Sequence, residues 1–245
     1  MKAAKEILEV WRAFDHFPME TLTKAWYLQS GDEPKQRSVD LMKMHREQYG
    51  TSGNCFDLAL WLLEELRQNK MDCYGIVTPD DHVAVIVLGD QGQRYLCDLG
   101  DQWIQPVLIE RGSKEYTEDW LRGFFPGSEI KVQVQQEHLD LTYKRPNGKE
   151  SKQTYLLTPV SDAELTARGE QTQKTLRRPL VEQRLFSKDE VTHWEFDDYS
   201  SFHSTMNGKV DENALDSIEE WAHRIHSVTG MSRDVIIQAL EVYGI

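Results

Sequence analysis

The chain has 245 residues, 39% of them hydrophobic, 28% charged and 10% aromatic, with a formal net charge of −13. That apolar share is enough for a sizeable core and excludes a disordered chain; the acidic balance excludes nucleic acid as the expected partner, since phosphate neutralisation needs clustered Lys and Arg, and argues against anionic membranes. The first seventeen residues hold acidic side chains and no signal-length apolar run, no stretch reaches the length of a membrane span, and three cysteines make no disulfide framework, so a soluble protein in the reducing cytoplasm is expected.

Residues 3–14 place Ile7, Val10, Trp11 and Phe14 on one face at helical spacing. Pro18 interrupts that pattern, and helical spacing resumes over 19–28. Gly31-Asp32-Glu33-Pro34 reads as a turn, and a further helix over Val39–Tyr49 stops at Gly50. Residues 55–66 are apolar around much of a helical circumference, which predicts a helix buried on most sides. The period then changes from helical to alternating. Strands are expected at 73–78, Val83–Leu88 and 94–99, the last two joined as a hairpin across Gly89-Asp90-Gln91-Gly92. More strands follow at 129–135, 139–143 and 154–157, with a turn at Pro146-Asn147-Gly148. Residues 71–158 therefore read as an antiparallel sheet or small barrel. A polar helix over 162–175, a β-leaning stretch at 191–202, and helices over 212–228 and 232–243 complete the chain. The organisation is α+β, divided as 1–70, 71–158 and 159–245.

The segment Thr51-Ser52-Gly53-Asn54-Cys55-Phe56-Asp57 carries the first chemical signal. Gly53 marks a turn, Asn54 is a favourable N-cap, and Asp57 three residues later completes a capping-box pattern. Cys55 then falls in the first helical turn, where free N–H groups and the helix dipole favour a thiolate and can receive an oxyanion. The alternative is a small buried core cysteine. A carboxylate at Asp57 opposes activation if it faces the sulfur and is harmless if it caps the backbone.

The hairpin supplies the second signal. Pairing about its turn opposes positions whose numbers sum to about 180–183, which makes His82 and Asp98 direct or diagonal neighbours. A carboxylate beside an imidazole fixes its tautomer and holds it as a general base toward a thiol. Taken singly, His82 reads equally as an exposed strand-start residue and Asp98 as a strand-end carboxylate; the coincidence of the three is what points to a Cys–His–Asp triad. Cys55, Cys73, Cys97 and His82 formally make a three-Cys, one-His zinc set. No C-x-x-C knuckle exists, however, and strand alternation turns Cys97 away from Asp98, so no metal is expected. His223 and His226, spaced i, i+3 on a helix, have no third ligand nearby and read as surface residues.

These segments resemble the arylamine N-acetyltransferases. That family has a Gly-rich turn leading into C-x-E on a helix, a His opening an apolar strand, and an Asp in a Y-L-V-D-V-G-type strand. Here the matching pieces are Gly53-Asn54-Cys55-Phe56-Asp57, His82-Val83-Ala84-Val85-Ile86-Val87, and Arg94-Tyr95-Leu96-Cys97-Asp98-Leu99-Gly100. Phe17-Pro18-Met19-Glu20-Thr21-Leu22 is similar to the family's I-P-F-E-N-L, and Tyr243-Gly244-Ile245 to its terminal F-G-I. The departures are Thr51-Ser52-Gly53 for R-G-G, Asp57 for the Glu of C-x-E, and Gly100-Asp101-Gln102 for G-F-G.

The resemblance implies a helical bundle, a β-barrel and a C-terminal α/β lid around a cysteine-protease-like core. It also implies acetyl-CoA as co-substrate, Cys55 as nucleophile, His82 as base, Asp98 as its orienter and a small amine or hydrazine as acceptor. Papain-like and transglutaminase-like enzymes use the same three residue types in the same chain order, so hydrolysis or transamidation is the alternative. A binding module that keeps the fold without the chemistry is the other.

Overall fold

Ile7, Val10 and Trp11 face inward from the first helix, α1 (Lys5–Arg12), in the computed structural model, which describes residues 1–29 and 35–244. The turn expected at Gly31-Asp32-Glu33-Pro34 and the terminal Ile245 lie outside those residues. A short strand, β1 (Met19–Glu20), precedes α2 (Leu22–Leu28), so the single helix expected over 19–28 is corrected. The cause is Glu20: its buried carboxylate accepts the N–H groups of Ser52 (3.2 Å) and Gly53 (2.6 Å), which ties this segment to the loop before Cys55. Helices α3 (Val39–Tyr49) and α4 (Cys55–Gln68) follow as expected. Phe56, Leu58, Ala59, Trp61, Leu62, Leu63 and Leu66 of α4 are all buried, the consequence of its nearly all-round apolar surface.

Strands β2 (Cys73–Val77), β3 (Val83–Leu88), β4 (Arg94–Cys97) and β5 (Val107–Leu108) form an antiparallel sheet in that order. A second antiparallel sheet contains β6 (Leu121–Phe125), β7 (Ser128–Val134), β8 (His138–Lys144) and β9 (Glu150–Leu156). The middle of the chain is thus two four-stranded sheets, and among the described residues neither closes into a barrel. They share one apolar core with α1 and α4.

After α5 (Asp162–Gln173) the chain runs through β10 (Leu180–Phe186), β11 (Val191–Asp197), β12 (Ser200–Thr205) and β13 (Gly208–Asp211). This third sheet takes β1 as its edge partner, so the N-terminal region is hydrogen-bonded into the C-terminal one. Helices α6 (Ile218–Thr229) and α7 (Arg233–Tyr243) pack with α2 over a second core of Leu22, Val181, Trp194, Phe196, Trp221 and Leu240. The helix expected from 212 begins later, at the Ser217 cap, because Glu212 is held instead by Trp194, Ser201 and Arg224. The architecture is α+β throughout. Among the described residues, no helix is long and apolar enough to cross a membrane.

Candidate active site

The capping box at the head of α4 is complete. Asn54 Oδ1 accepts the N–H groups of Phe56 (3.0 Å) and Asp57 (3.2 Å), and Asp57 Oδ2 accepts that of Asn54 (3.1 Å). The Asp57 carboxylate therefore faces the backbone rather than the sulfur, and it is neutralised by a buried ion pair with Arg37 at 3.1 Å. Arg37 also donates to the Ser52 carbonyl (3.1 Å). Where the resemblance places an Arg in the turn itself, this chain brings a guanidinium from Arg37, which no local sequence signal announces. Gly53 has φ +104°, and a Cβ there would run into both Asp57 and Arg37. With Ser52 and Gly53 bonded to Glu20 and the next residues capped, the Cys55 N–H is left uncommitted among the described residues.

The hairpin adopts the expected register, with Val85 opposite Cys97 and Ile86 opposite Leu96. Continuing it makes His82 and Asp98, just beyond the paired ends, diagonal neighbours. His82 Nε2 bonds to Asp98 Oδ2 at 2.7 Å. Asp98 is fully buried, and its remaining capacity is filled by the Tyr155 hydroxyl (2.6 Å to Oδ2) and the Asp101 N–H (2.9 Å to Oδ1). The Cys55 side chain lies beside the His82 ring, both bordering Gly100, and with Nε2 taken by Asp98 the nitrogen left for the thiol is Nδ1. The three side chains converge on the Cα of Gly100: a Cβ there would sit 2.6 Å from Cys55 Cβ, 2.7 Å from His82 Cε1 and 3.3 Å from Asp98 Oδ1. Only glycine permits that approach.

In the sequence Asp101 is only a departure within the Gly100-Asp101-Gln102 loop, yet its Oδ1 lies 3.6 Å from His82 Nε2. Burial, reinforced by Asp98, pushes its carboxyl up to about 7 although His82 pulls the other way. Burial disfavours a charged His82, but the attraction of Asp98 and Asp101 and the bond to Asp98 prevail, with the neighbouring Cys55 adding in the same direction, and its pKa rises well above the ordinary value. Burial holds Tyr143 and Tyr155 as phenols, so both donate: Tyr143 to Asp101 Oδ2 (3.2 Å), Tyr155 to Asp98.

His82, Asp98 and Asp101 form the one group among the described residues whose three possible metal-ligand atoms gather within 4.8 Å. The Cys55–Cys73–Cys97–His82 set does not gather there. Cys97 is buried in the apolar core, where desolvation pushes its thiol well up, and Cys73 is half-buried. His226 Nδ1 bonds to the Met231 carbonyl (2.7 Å), and His223 is exposed. Next to these side chains, at Asp101 and Tyr143, a cleft of about 910 Å³ opens between the second and third sheets.

No protein-family model and no curated protein sequence matches the chain. Solved structures do. The M. smegmatis arylamine N-acetyl transferase superposes with a TM-score of 0.73 at 15% identity, covering 98% of this chain and 92% of that one. The Salmonella typhimurium arylamine N-acetyltransferase gives 0.71 at 10% identity, with 94% and 89% covered. Mycobacterium marinum arylamine N-acetyltransferase in complex with CoA gives 0.73 at 12% identity, with 99% and 96% covered. At such identities the likeness is one of fold, and it extends over nearly the whole chain, as the sequence resemblance implied.

Proposed function

We propose that the chain is a cysteine acyltransferase that takes an acetyl group from acetyl-CoA and delivers it to a small amine. The observation that carries this reading is the meeting of Cys55, His82 and Asp98 around Gly100 within a fold shared with arylamine N-acetyltransferases, one of them solved with CoA. Cys55 Sγ attacks the thioester carbonyl carbon while His82 Nδ1 takes the thiol proton. The Cys55 N–H stands at the helix start to receive the oxyanion. Collapse breaks the bond to the CoA sulfur, which leaves with the proton from His82, and the acetyl group remains on Cys55. The acceptor amine then attacks, His82 removes its proton, and Cys55 departs and is reprotonated. Asp98 keeps Nε2 protonated and stabilises the imidazolium through both halves. In this reading residues 1–70 carry the nucleophile, 71–158 the base and its orienter, and the C-terminal sheet with α6 and α7 covers the cleft as a lid.

Intact-mass measurement after incubation with acetyl-CoA tests it. The native chain should gain one acetyl group and Cys55→Ala none. A native chain that gains nothing from acetyl-CoA or from other acyl-CoAs rules the reading out; ammonia release from glutamine peptides instead would move the same triad to transamidation.

A further inference from the structure

Glu182 on β10 stands directly opposite Glu195 on β11. Like charges at directly opposed positions destabilise a sheet, so the pair calls for a compensating partner. Both line the cleft that opens at Asp101 beside His82, and Glu182 acts electrostatically on Asp101 as well. Glu195 makes no hydrogen bond or ion pair among the described residues, and burial, then Glu182, push its carboxyl up to about 7. His193, two positions before Glu195 and so on the same face, lines the same cleft with a side chain only 9% exposed. Its Nε2 has no hydrogen bond and lies 3.4 Å from Glu182 Oε2.

Among the described residues no Lys or Arg forms an ion pair with that wall; Arg145 acts on Glu195 only through space. Arg184, two residues after Glu182, points its guanidinium at the carbonyls of Phe14 and Trp103. Lys209 pairs with Asp211 at 2.7 Å and sits over the Phe202 ring, and Arg145 and Lys149 are exposed at the rim. What remains is two carboxylates on one face of the sheet, with the His193 ring beside Glu182 and, among the described residues, no Lys or Arg paired with either.

We propose that Glu182, Glu195 and His193 form a cation subsite of the acceptor cleft, and that the acceptors are arylamines or hydrazines bearing a second, protonated amino group. The proposal rests on the acyl-transfer reading above. An ammonium group has three N–H donors and no acceptor, which suits the two carboxylates of the wall, and its charge relieves the Glu182–Glu195 repulsion. The neutral nitrogen of the same molecule then extends past Asp101 toward His82 and Cys55. Chemistry at that end is unaltered: the new N–C bond forms as the Cys55 S–C bond breaks, and the amine proton passes to His82. The protonated end does not react.

The test compares 4-(aminomethyl)aniline with 4-methylaniline, which has the same outline without the charge, on the full chain and on Glu182→Gln/Glu195→Gln. For the native chain kcat/KM should favour the charged acceptor at least ~10-fold, and in the double variant that ratio should fall to about one. Gln keeps the size and removes the repulsion, so the variant should fold; a melting curve checks that, with Glu195→Gln alone in reserve. Acetylation of both amines with a native ratio near one overturns the subsite and leaves acyl transfer standing. If Cys55 takes no acetyl group and neither amine is modified, the acyl-transfer reading fails, and calorimetric titration of 4-(aminomethyl)aniline decides the subsite alone. Binding weakened ~10-fold by the double variant upholds it, and absent or equal binding overturns it.

Discussion

His82 lies between two carboxylates of different standing. Asp98 is fully buried at 2.7 Å from Nε2 and is itself fixed by Tyr155 and the Asp101 N–H. Asp101 is 27% exposed, 3.6 Å away, and held by the Tyr143 hydroxyl. Opposite charge raises an imidazole pKa, so Asp101→Asn should move the His82 titration midpoint down while the Asp98 bond survives. Because the Asp101 carboxyl is itself raised to about 7, its attraction grows above that pH, and the gap between variant and native protein should widen on the alkaline side. Ring-proton NMR of His82 across the titration measures it. An unmoved midpoint would mean that Asp101 does not act on the imidazole.

At the scale of elements, the start of α4 depends on a buried ion pair. Arg37 and Asp57 are 3% and 2% exposed, and Asp57 is at once a cap and an anion. Arg37→Met would leave that carboxylate buried with only neutral partners, the Asn54 N–H and the Gln36 and Gln173 amides, a loss of about 3 kcal/mol in urea unfolding. Adding Asp57→Asn should restore much of it, since the amide keeps the size and sheds the charge. No recovery would mean that Arg37 acts through its bond to Ser52 instead. The helix and hairpin that carry Cys55, His82 and Asp98 were legible because each announces itself locally: Asn54 and Asp57 by capping pattern, Val83–Leu88 by an apolar run ending at a Gly-bounded turn. Strand β10 was not, because it buries the polar Gln183 and Arg184, the latter on carbonyls of the distant Phe14 and Trp103, and no hydropathy pattern marks such a strand. The apolar spacing around Met19–Glu20 is helical, whereas Glu20 is held by the loop at 52–53. Tyr143 and Tyr155 join the site only through the packing of the second sheet on the first, a relation that sequence spacing does not carry, whereas Asp101 joins it through a turn that returns its N–H to Asp98.

Across the whole molecule the third sheet is fastened to the loop that follows Asp98. Buried Gln102 donates to the Leu99 and Phe17 carbonyls and accepts the Arg184 N–H, while the Arg184 guanidinium bridges Phe14 and Trp103. The cleft between the sheets consequently gathers titrating groups from both sides, and they lean the same way. Asp101 and Glu195 are each raised to about 7, chiefly by burial, so the folded chain binds protons there that the unfolded chain has already released. Stability from such groups is present at low pH and declines as pH climbs from the ordinary carboxylate range to about 7. His82, raised by its carboxylates, adds stability that is complete below its unfolded value and disappears as pH passes its folded one, the same sign. Opposing them, Glu212 is held at about 2 by Arg224, Ser201 and Trp194 against the effect of burial, and Asp162 is lowered by its bond to Arg67. Those two contribute above the ordinary carboxylate range and are lost only in stronger acid. The melting temperature should therefore peak near about pH 5 and fall toward pH 8. Glu195→Gln should flatten the fall, because one of the raised carboxyls is then gone. Thermal melts from about pH 4 to 8 in matched buffers decide it, and a melting temperature that holds level or climbs between about pH 5 and 7.5 would show that the cleft carboxyls titrate in the folded chain as they do in the unfolded one.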